Sequence, residues 1–506
     1  MKPLTVLILI FLFQFFIYQY ITLVPYINGP KDKTFNPITS YDIGYISFIR
    51  QAKDGAWAIQ ENRTTAPAPR VYAYPLFVFL GKISAITGID PVDMYFIAKI
   101  VGGLAVFFVV YWLVGEFFPQ SVRIFAIILI LGLEIGPWGS ESSLFGQSAV
   151  WRHFGLPHHT IGEALGLLFF YYFYKKRYVP LFIFGSIASF VLLPYTIVLS
   201  MVLLVSLGAR YLKASLLSLV AVGIPVLFYR HQFSLGPPWN GFYAAEKLWY
   251  PTTEVLSRYF SSMLWYMPFF ILFAFFVPRA WKKLSSTVQD ISIVGVTWIV
   301  FPFLFLPILP YTGLPLANFR IIDTYVYFFA GVVAAVGFMA FSLINPRGWI
   351  RKVVIGVLIG TCGLSLVGTF LFARSDIQKR SMQWINIYVP NDTWGAIRFF
   401  STVAPDSGVL ALQHMGDVIA DYAPVRVYVG LTPGYSDWNG RVNLATEFYS
   451  GTLTNAQARA FLTENDISYV FYGQMEQFVT KKSPLYPNVL TAVFQRGSTT
   501  VFEVQK

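Results

Sequence analysis

Apolar stretches follow one another from Leu4 to Phe372 with short polar segments between them. A membrane-crossing helix needs about 20 mostly apolar residues. The pattern predicts about eleven such spans, at roughly 4–24, 92–114, 121–137, 158–174, 178–193, 195–209, 214–230, 259–277, 290–309, 320–343 and 350–372. The fifth and sixth meet at Leu193-Pro194-Tyr195, which suits a tight hairpin. Between the first two spans lies a long loop, 25–91, with patterns of its own. Ser40 to Ala52 reads as an amphipathic helix with Ile43, Ile46, Ile49 and Ala52 on one side. Tyr74-Pro75 breaks the chain, and Leu76 to Ile86 is apolar but too short to cross a bilayer. It ends at Thr87-Gly88 and suits a helix lying along the interface, before Pro91 opens the next span. After Phe372 the pattern becomes that of a soluble α/β domain. Helices are expected at 394–403, 445–450 and 455–464, and strands at 409–412, 425–429, 467–471, 489–494 and 499–504. The expected fold class is a polytopic α-helical membrane protein: a membrane module over 1–373, including the outer loop, and an extracytoplasmic domain over 374–506.

Composition narrows the class. The chain has 506 residues, of which 56% are hydrophobic and 12% charged. A soluble protein carries about 25% charged residues. The net charge of +12 does not point to nucleic acid. Much of it sits in short loops: Lys175-Lys176-Arg177, Arg210 with Lys213, Arg279 with Lys282 and Lys283, and Arg347 with Arg351 and Lys352. Such loops stay cytoplasmic and face anionic lipid headgroups. With an odd number of spans, the N-terminus is expected in the cytoplasm and the C-terminal domain outside, with the 25–91 loop. The N-terminal run has no small-residue cleavage site before Pro25 and reads as an uncleaved first helix. Cys362 is the single cysteine, so no disulfide framework exists.

The polar chemistry collects on the expected outer side. Asp42 stands at the start of the loop helix in Tyr41-Asp42-Ile43-Gly44-Tyr45. A carboxylate there is either a helix cap or a general base at the membrane surface. The loop, with Asp42, Tyr74-Pro75 and Thr87-Gly88 in this order, resembles that of the GT-C class of integral membrane glycosyltransferases, which use lipid-phosphate-linked sugars. The stretch from Asp42-x-x-Tyr45 to Ile49-Arg50-Gln51-Ala52-x-x-Gly55 is similar to the loop of bacterial members. Val427-Tyr428-Val429-Gly430, Phe448-Tyr449-Ser450-Gly451, Ile467-Ser468-Tyr469-Val470 and Gly473-Gln474-Met475-Glu476 are similar to their tail. In that family the loop acid is catalytic, which implies the role for Asp42. Many members carry two adjacent acids, whereas Asp42 is followed by Ile43. A second acid would come from elsewhere, with Glu141 in the second outer loop a candidate. Without an acidic pair, a divalent metal is compatible but not implied.

Arg320 and Asp323, three residues apart at the mouth of the tenth span, form either a local ion pair or a phosphate contact through Arg320. A guanidinium offers a planar fork of donors suited to phosphate oxygens. His153, His158 and His159 cluster near the fourth span. Adjacent histidines diverge by about 100° on a helix and chelate poorly. The expected role, for His158 first, is a hydrogen-bonded interface residue or a contact to donor or acceptor. Lys99 either snorkels to the interface or meets phosphate. Trp138, Trp239 and Tyr243 suit sugar stacking or headgroup contact, and Asn62-Arg63-Thr64 and Asn391-Asp392-Thr393 match the glycosylation sequon.

The expected function is transfer of a sugar from a polyprenyl-phosphate donor to an acceptor hydroxyl outside the cytoplasm. Asp42 would be the base, and Arg320, Lys99 and His158 the phosphate contacts. The acceptor class, whether glycan, lipid or protein, stays open. A transporter or lipid flippase would show internal repeats and ionisable groups near mid-membrane. A non-catalytic assembly protein would tolerate loss of Asp42 and Arg320.

Overall fold

The computed structural model describes residues 2–38, 42, 44–133, 149–241, 251–312, 316–322, 325–344, 348–380, 388–430, 437–481 and 485–505. Among them, six segments are helical, long and apolar enough to cross a membrane: Pro3–Ile27, Pro91–Phe117, Tyr178–Leu207, Leu212–Phe233, Ser286–Phe305 and Asn318–Ile344. Shorter apolar helices include Pro75–Thr87 and Gln120–Gly132. The chain forms two compact units. A helical unit comprises Met1–Ile21, Ile97–Phe228 and Lys247–Asp376, and a mixed unit comprises Thr22–Phe96, Tyr229–Glu246 and Ile377–Lys506. These divisions run along different lines from the compositional boundary near 373, because the first loop belongs with the C-terminal segment.

In the helical unit the Tyr178–Leu207 helix is interrupted at Leu192, whose φ of −149° and ψ of 68° leave the helical region. A straight helix of this length would span about 45 Å. Instead, Phe184 stacks on Tyr172, Tyr195 reaches His159, and Tyr211, just past the helix, meets Phe173. The chain therefore climbs along the Pro157–Tyr174 helix and returns, as the Leu193-Pro194-Tyr195 signal predicts. Proline at the start of the returning half has no amide to leave unsatisfied. The return brings basic clusters together. Lys176 lies 4.5 Å over the Tyr211 ring, and Arg210 and Tyr211 both bond Asp290 near the start of the Ser286–Phe305 helix. The Trp281–Lys283 turn leads into that start.

In the mixed unit, a five-stranded sheet has the order β4-β3-β5-β7-β6. β3 (Gly408–Leu410) pairs in parallel with β4 (Arg426–Val427) and β5 (Tyr469–Tyr472). β7 (Thr499–Val504) and β6 (Leu490–Arg496) close the other side antiparallel. Successive strand residues face opposite ways. Val409, Val427 and Phe471 pack with Ile397 and Ile419 from the Asn391–Phe399 and Gln413–Tyr422 helices. Leu410, Tyr428 and Val470 pack with Phe448 and Leu462 from the Trp438–Ser450 and Asn455–Glu464 helices.

The loop is built into this unit. β1 (Lys33–Phe35) pairs antiparallel with β2 (Tyr388–Pro390). The Val427 amide donates to the Asn62 carbonyl at 2.8 Å, and Arg426 donates to the Thr65 carbonyl at 2.8 Å. The 62–65 stretch thus occupies the outer edge of β4, where unpaired backbone groups would otherwise face open. The loop helix runs Tyr45–Lys53, shorter at its start than the expected Ser40–Ala52. Ile46, Ile49 and Ala52 are fully buried, as their spacing predicts. Its partner is the Pro75–Thr87 helix. A Cβ on Gly81 would lie 2.4 Å from the Ile49 carbonyl and 2.5 Å from the Ala52 Cβ, so the two helices cross at glycine distance.

Candidate active site

Asp42 is 1% exposed and belongs to the mixed unit. The Tyr95 hydroxyl donates to its Oδ1 at 2.7 Å. Tyr95 is itself fully buried near the start of the Pro91–Phe117 helix and lies 6.2 Å from the Phe77 ring. The Tyr45–Lys53 helix has Gly44 at its N-cap, with φ 89°. Asp42 stands two residues ahead of that cap, and its carboxylate accepts from Tyr95 on a neighbouring helix.

Gly44 is held from two directions. Its amide donates to Asp421 Oδ1 at 3.0 Å. A Cβ added to it would lie 2.7 Å from the guanidinium of Arg63. Only glycine adopts φ 89° readily and leaves room for that guanidinium. Arg63 is paired with Glu61 through two side-chain bonds of 2.7 and 2.6 Å. Burial alone would pull its pKa down, but Glu61, Asp417 and Asp421 more than offset this and leave it raised. Arg50 donates to the Ala423 carbonyl at 2.7 Å and to the Ala420 carbonyl at 3.2 Å, satisfying the end of the Gln413–Tyr422 helix. Burial lowers the Arg50 pKa, and Asp421 works against that shift. Asp421 is 1% exposed. Burial pushes its carboxyl up to about 7, although Arg63, Arg50 and the Gly44 amide pull the other way. Tyr422 is likewise raised, by burial first and then by Asp421, with Asp42 adding to the effect. A network of buried acids and arginines therefore surrounds the turn that carries Asp42.

Lys99, His158 and Arg320 belong to the helical unit. Lys99 is 1% exposed in the Pro91–Phe117 helix, so its side chain is enclosed by protein and does not snorkel outward. His158 is buried in the first turn of the Pro157–Tyr174 helix. Its ring meets that of His159 edge-on, at 4.5 Å and 81°, an arrangement that does not aim two nitrogens at one ion. Arg320 is within electrostatic reach of both histidines. It lies on a short 3₁₀ turn, Asn318–Ile321, and the following α-helix begins at Val326. Asp323, with which Arg320 is expected to share a helix face, lies outside the described residues. So do Glu141, Trp138 and Tyr243. Among the described residues no group of three or more His, Cys, Asp or Glu could hold a metal ion.

Trp239 is 2% exposed and donates to the Pro69 carbonyl, with Phe233 stacked on it, so it is part of a core and not a sugar platform. Asn62 is 3% exposed, which does not suit a glycan acceptor. The Asn391 side chain is engaged by Thr34 and the Lys31 carbonyl.

The residues around Asp42 that spacing did not reveal are Tyr95, Glu61, Arg63, Asp417 and Asp421. The last two lie on a helix, Gln413–Tyr422, that the strand pattern leaves unassigned. Met415, Val418, Ile419 and Tyr422 do recur at helical spacing there, which is the signal that marks it.

No protein-family model matches this chain, and no curated protein matches it. Solved structures do. The archaeal oligosaccharyltransferase AglB from Archaeoglobus fulgidus, in complex with an inhibitory peptide and a dolichol-phosphate, is 12% identical with a TM-score of 0.51, over 93% of this chain and 69% of that one. ArnT from Cupriavidus metallidurans in the apo state is 13% identical with a TM-score of 0.51, over 91% of this chain and 93% of that one. The chain thus has the GT-C fold, that of an integral membrane protein. At these identities the likeness speaks for the fold alone.

Proposed function

We propose that this protein is a glycosyltransferase that moves a sugar from a polyprenyl-phosphate donor to an acceptor hydroxyl on the extracytoplasmic side. One observation supports this reading above the others: in a GT-C fold, the loop acid Asp42 is buried and accepts a hydrogen bond from the Tyr95 hydroxyl. Burial of a carboxylate is costly, and holding one in a fixed orientation suits a proton acceptor.

In this reading the acceptor oxygen attacks the anomeric carbon from the face opposite phosphate, and Asp42 takes the hydroxyl proton. The bond between the anomeric carbon and the phosphate oxygen breaks, and polyprenyl phosphate leaves with the bonding electrons. A single displacement of this kind inverts the anomeric centre. Charge grows on the phosphate as that bond breaks, and a fixed cation lowers the barrier. Arg320 is assigned that role, with Lys99 and His158 as further phosphate contacts.

The test is turnover by the purified protein with polyprenyl phosphates carrying glucose, mannose or arabinose, in the presence of cell-envelope extract as the acceptor source. Release of polyprenyl phosphate is the readout. Asp42→Asn should abolish release while leaving expression and folding intact, and Arg320→Ala should lower it strongly. Full turnover by Asp42→Asn would remove Asp42 as the base. Movement of the intact lipid across reconstituted vesicles, without sugar transfer, would favour a flippase.

A further inference from the structure

We propose that Asp421, far along the chain from the loop, is a positioning residue for Asp42, acting by holding the backbone turn that carries the carboxylate. This rests on the reading of Asp42 as the base.

The link is direct. Asp421 Oδ1 accepts the Gly44 amide at 3.0 Å across 377 residues of sequence. Gly44 is the residue at which the chain turns, with φ 89°, from the segment bearing Asp42 into the Tyr45–Lys53 helix. The Arg63 guanidinium lies close enough that a Cβ on this glycine would come within 2.7 Å of it. The turn at Gly44 is therefore fixed by the Asp421 carboxylate with the Arg63 guanidinium close by, two residues from Asp42.

Asp421 serves as counter-charge to the buried Arg50 and Arg63, but its place on its own helix does not favour an acid. It sits in the last turn of the Gln413–Tyr422 helix, where the helix dipole disfavours negative charge. The carbonyls of that helix end are already satisfied by Arg50. Its second oxygen, Oδ2, is buried with no hydrogen-bond partner among the described residues. A carboxylate kept dry and at the wrong end of a helix is costly, and the Gly44 bond together with the nearby Arg50 and Arg63 charges offsets that cost.

The charges facing it come from every element around it. Arg50 lies on the Tyr45–Lys53 helix, Arg63 on the segment before β4's edge, and Asp417 and Tyr422 on its own helix. Asp42 also acts on Tyr422, so the two carboxylates share one electrostatic neighbourhood. With burial pushing Asp421 up to about 7, its charge changes near neutral pH. Ionised, it accepts the Gly44 amide strongly and attracts both arginines. Protonated, it holds the turn more weakly. Turnover should therefore rise as pH passes upward through this range.

The experiment compares Asp421→Asn, Asp421→Ala and Asp421→Glu with wild type and with Asp42→Asn in the full-length protein, using the polyprenyl-phosphate sugar assay. Gel filtration and thermal melting identify the folded fraction. Asp421→Ala is expected to lower kcat by about ten-fold or more, with the donor KM within about two-fold. Asp421→Asn, nearly isosteric and able to accept from Gly44, is expected to fold, to keep more activity than the alanine variant, and to lose the inflection near neutral pH. Asp421→Glu should restore that inflection. If Asp42→Asn is inactive while folded Asp421→Ala and Asp421→Asn keep wild-type kcat and pH profile, the positioning role is overturned and the base remains. If Asp42→Asn turns over, the base reading falls and the positioning role with it. Lower yield or Tm with unchanged kcat and profile would mark Asp421 as structural only and also overturns the proposal.

Discussion

A carboxylate that is 1% exposed must be held by protein, and Asp42 is held by a phenol. Tyr95→Phe removes one donor and leaves a buried acceptor short of a bond, at a cost of about 1–3 kcal/mol. We expect this variant to fold and to lose kcat, on the order of 10-fold or more if the carboxylate swings from its productive direction. Steady-state kinetics on the polyprenyl-phosphate assay checks this, and a wild-type kcat would remove Tyr95 from the reaction. Two other buried acids make the stability depend on pH in a known direction. Burial raises Asp421 and Glu476 each to about 7, the latter despite accepting the Leu412 and Gly473 amides. A carboxyl raised in the fold contributes most when neutral. Its contribution is therefore full below the ordinary carboxyl range, declines as pH climbs to about 7, and is constant above it. Melting at pH values from 4 to 8, about four points, should show a smaller loss for Asp421→Asn than for wild type. At this scale the sequence is legible in part. Asp42 stands out as a lone acid after the first span, but Tyr95 lies 53 residues away and Asp421 a further long stretch beyond, and no local spacing encodes either contact.

At the scale of elements, apolar periodicity carries most of the reading, because burial on one face is what makes a helix or strand stable. The Asn455–Glu464 helix and β7 stand where their patterns place them, and the turn at Leu192 was announced by Pro194. The start of the loop helix was not, since Gly44 sets it at Tyr45, and not at Ser40, by a backbone conformation and not by side-chain polarity. The Gln413–Tyr422 helix is the costliest omission. Its apolar residues fit helical spacing, yet its two buried acids, Asp417 and Asp421, make the inner face look polar. The crossing of the Tyr45–Lys53 and Pro75–Thr87 helices offers a direct check on what positions the loop. In Gly81→Ala the new methyl meets the Ile49 carbonyl and the Ala52 Cβ, which are backbone and a helix-bound carbon and cannot swing aside. Overpacking of this kind costs about 1–3 kcal/mol. The expected result is a lower Tm and a lower kcat together, because the shifted helix begins at Gly44. Ser84→Ala, which removes a bond to the Ile89 carbonyl farther along the same helix, should affect Tm far more than kcat.

For the whole molecule, the two compact units differ in kind. The helical unit gathers its basic clusters where Lys176, Tyr211, Arg210 and Asp290 meet. The mixed unit combines the long loop with the α/β sheet. From the charge of its short loops alone, the sequence places the 25–91 loop and the C-terminal segment outside the cytoplasm, as an expectation. The single cysteine makes this testable with little disturbance. In a Cys362→Ser background, Ser401→Cys would sit at an exposed position of the C-terminal segment and Lys213→Cys at an exposed position beside Arg210. A membrane-impermeant maleimide added to intact cells should label Ser401→Cys. Lys213→Cys should label only after the membrane is opened. The reverse pattern would place Asp42 in the cytoplasm and would require a donor presented there, which ends the extracytoplasmic reading. Labelling of both from outside would mean that the basic clusters do not set the orientation, and the sidedness would then have to come from the insertion of the first helix.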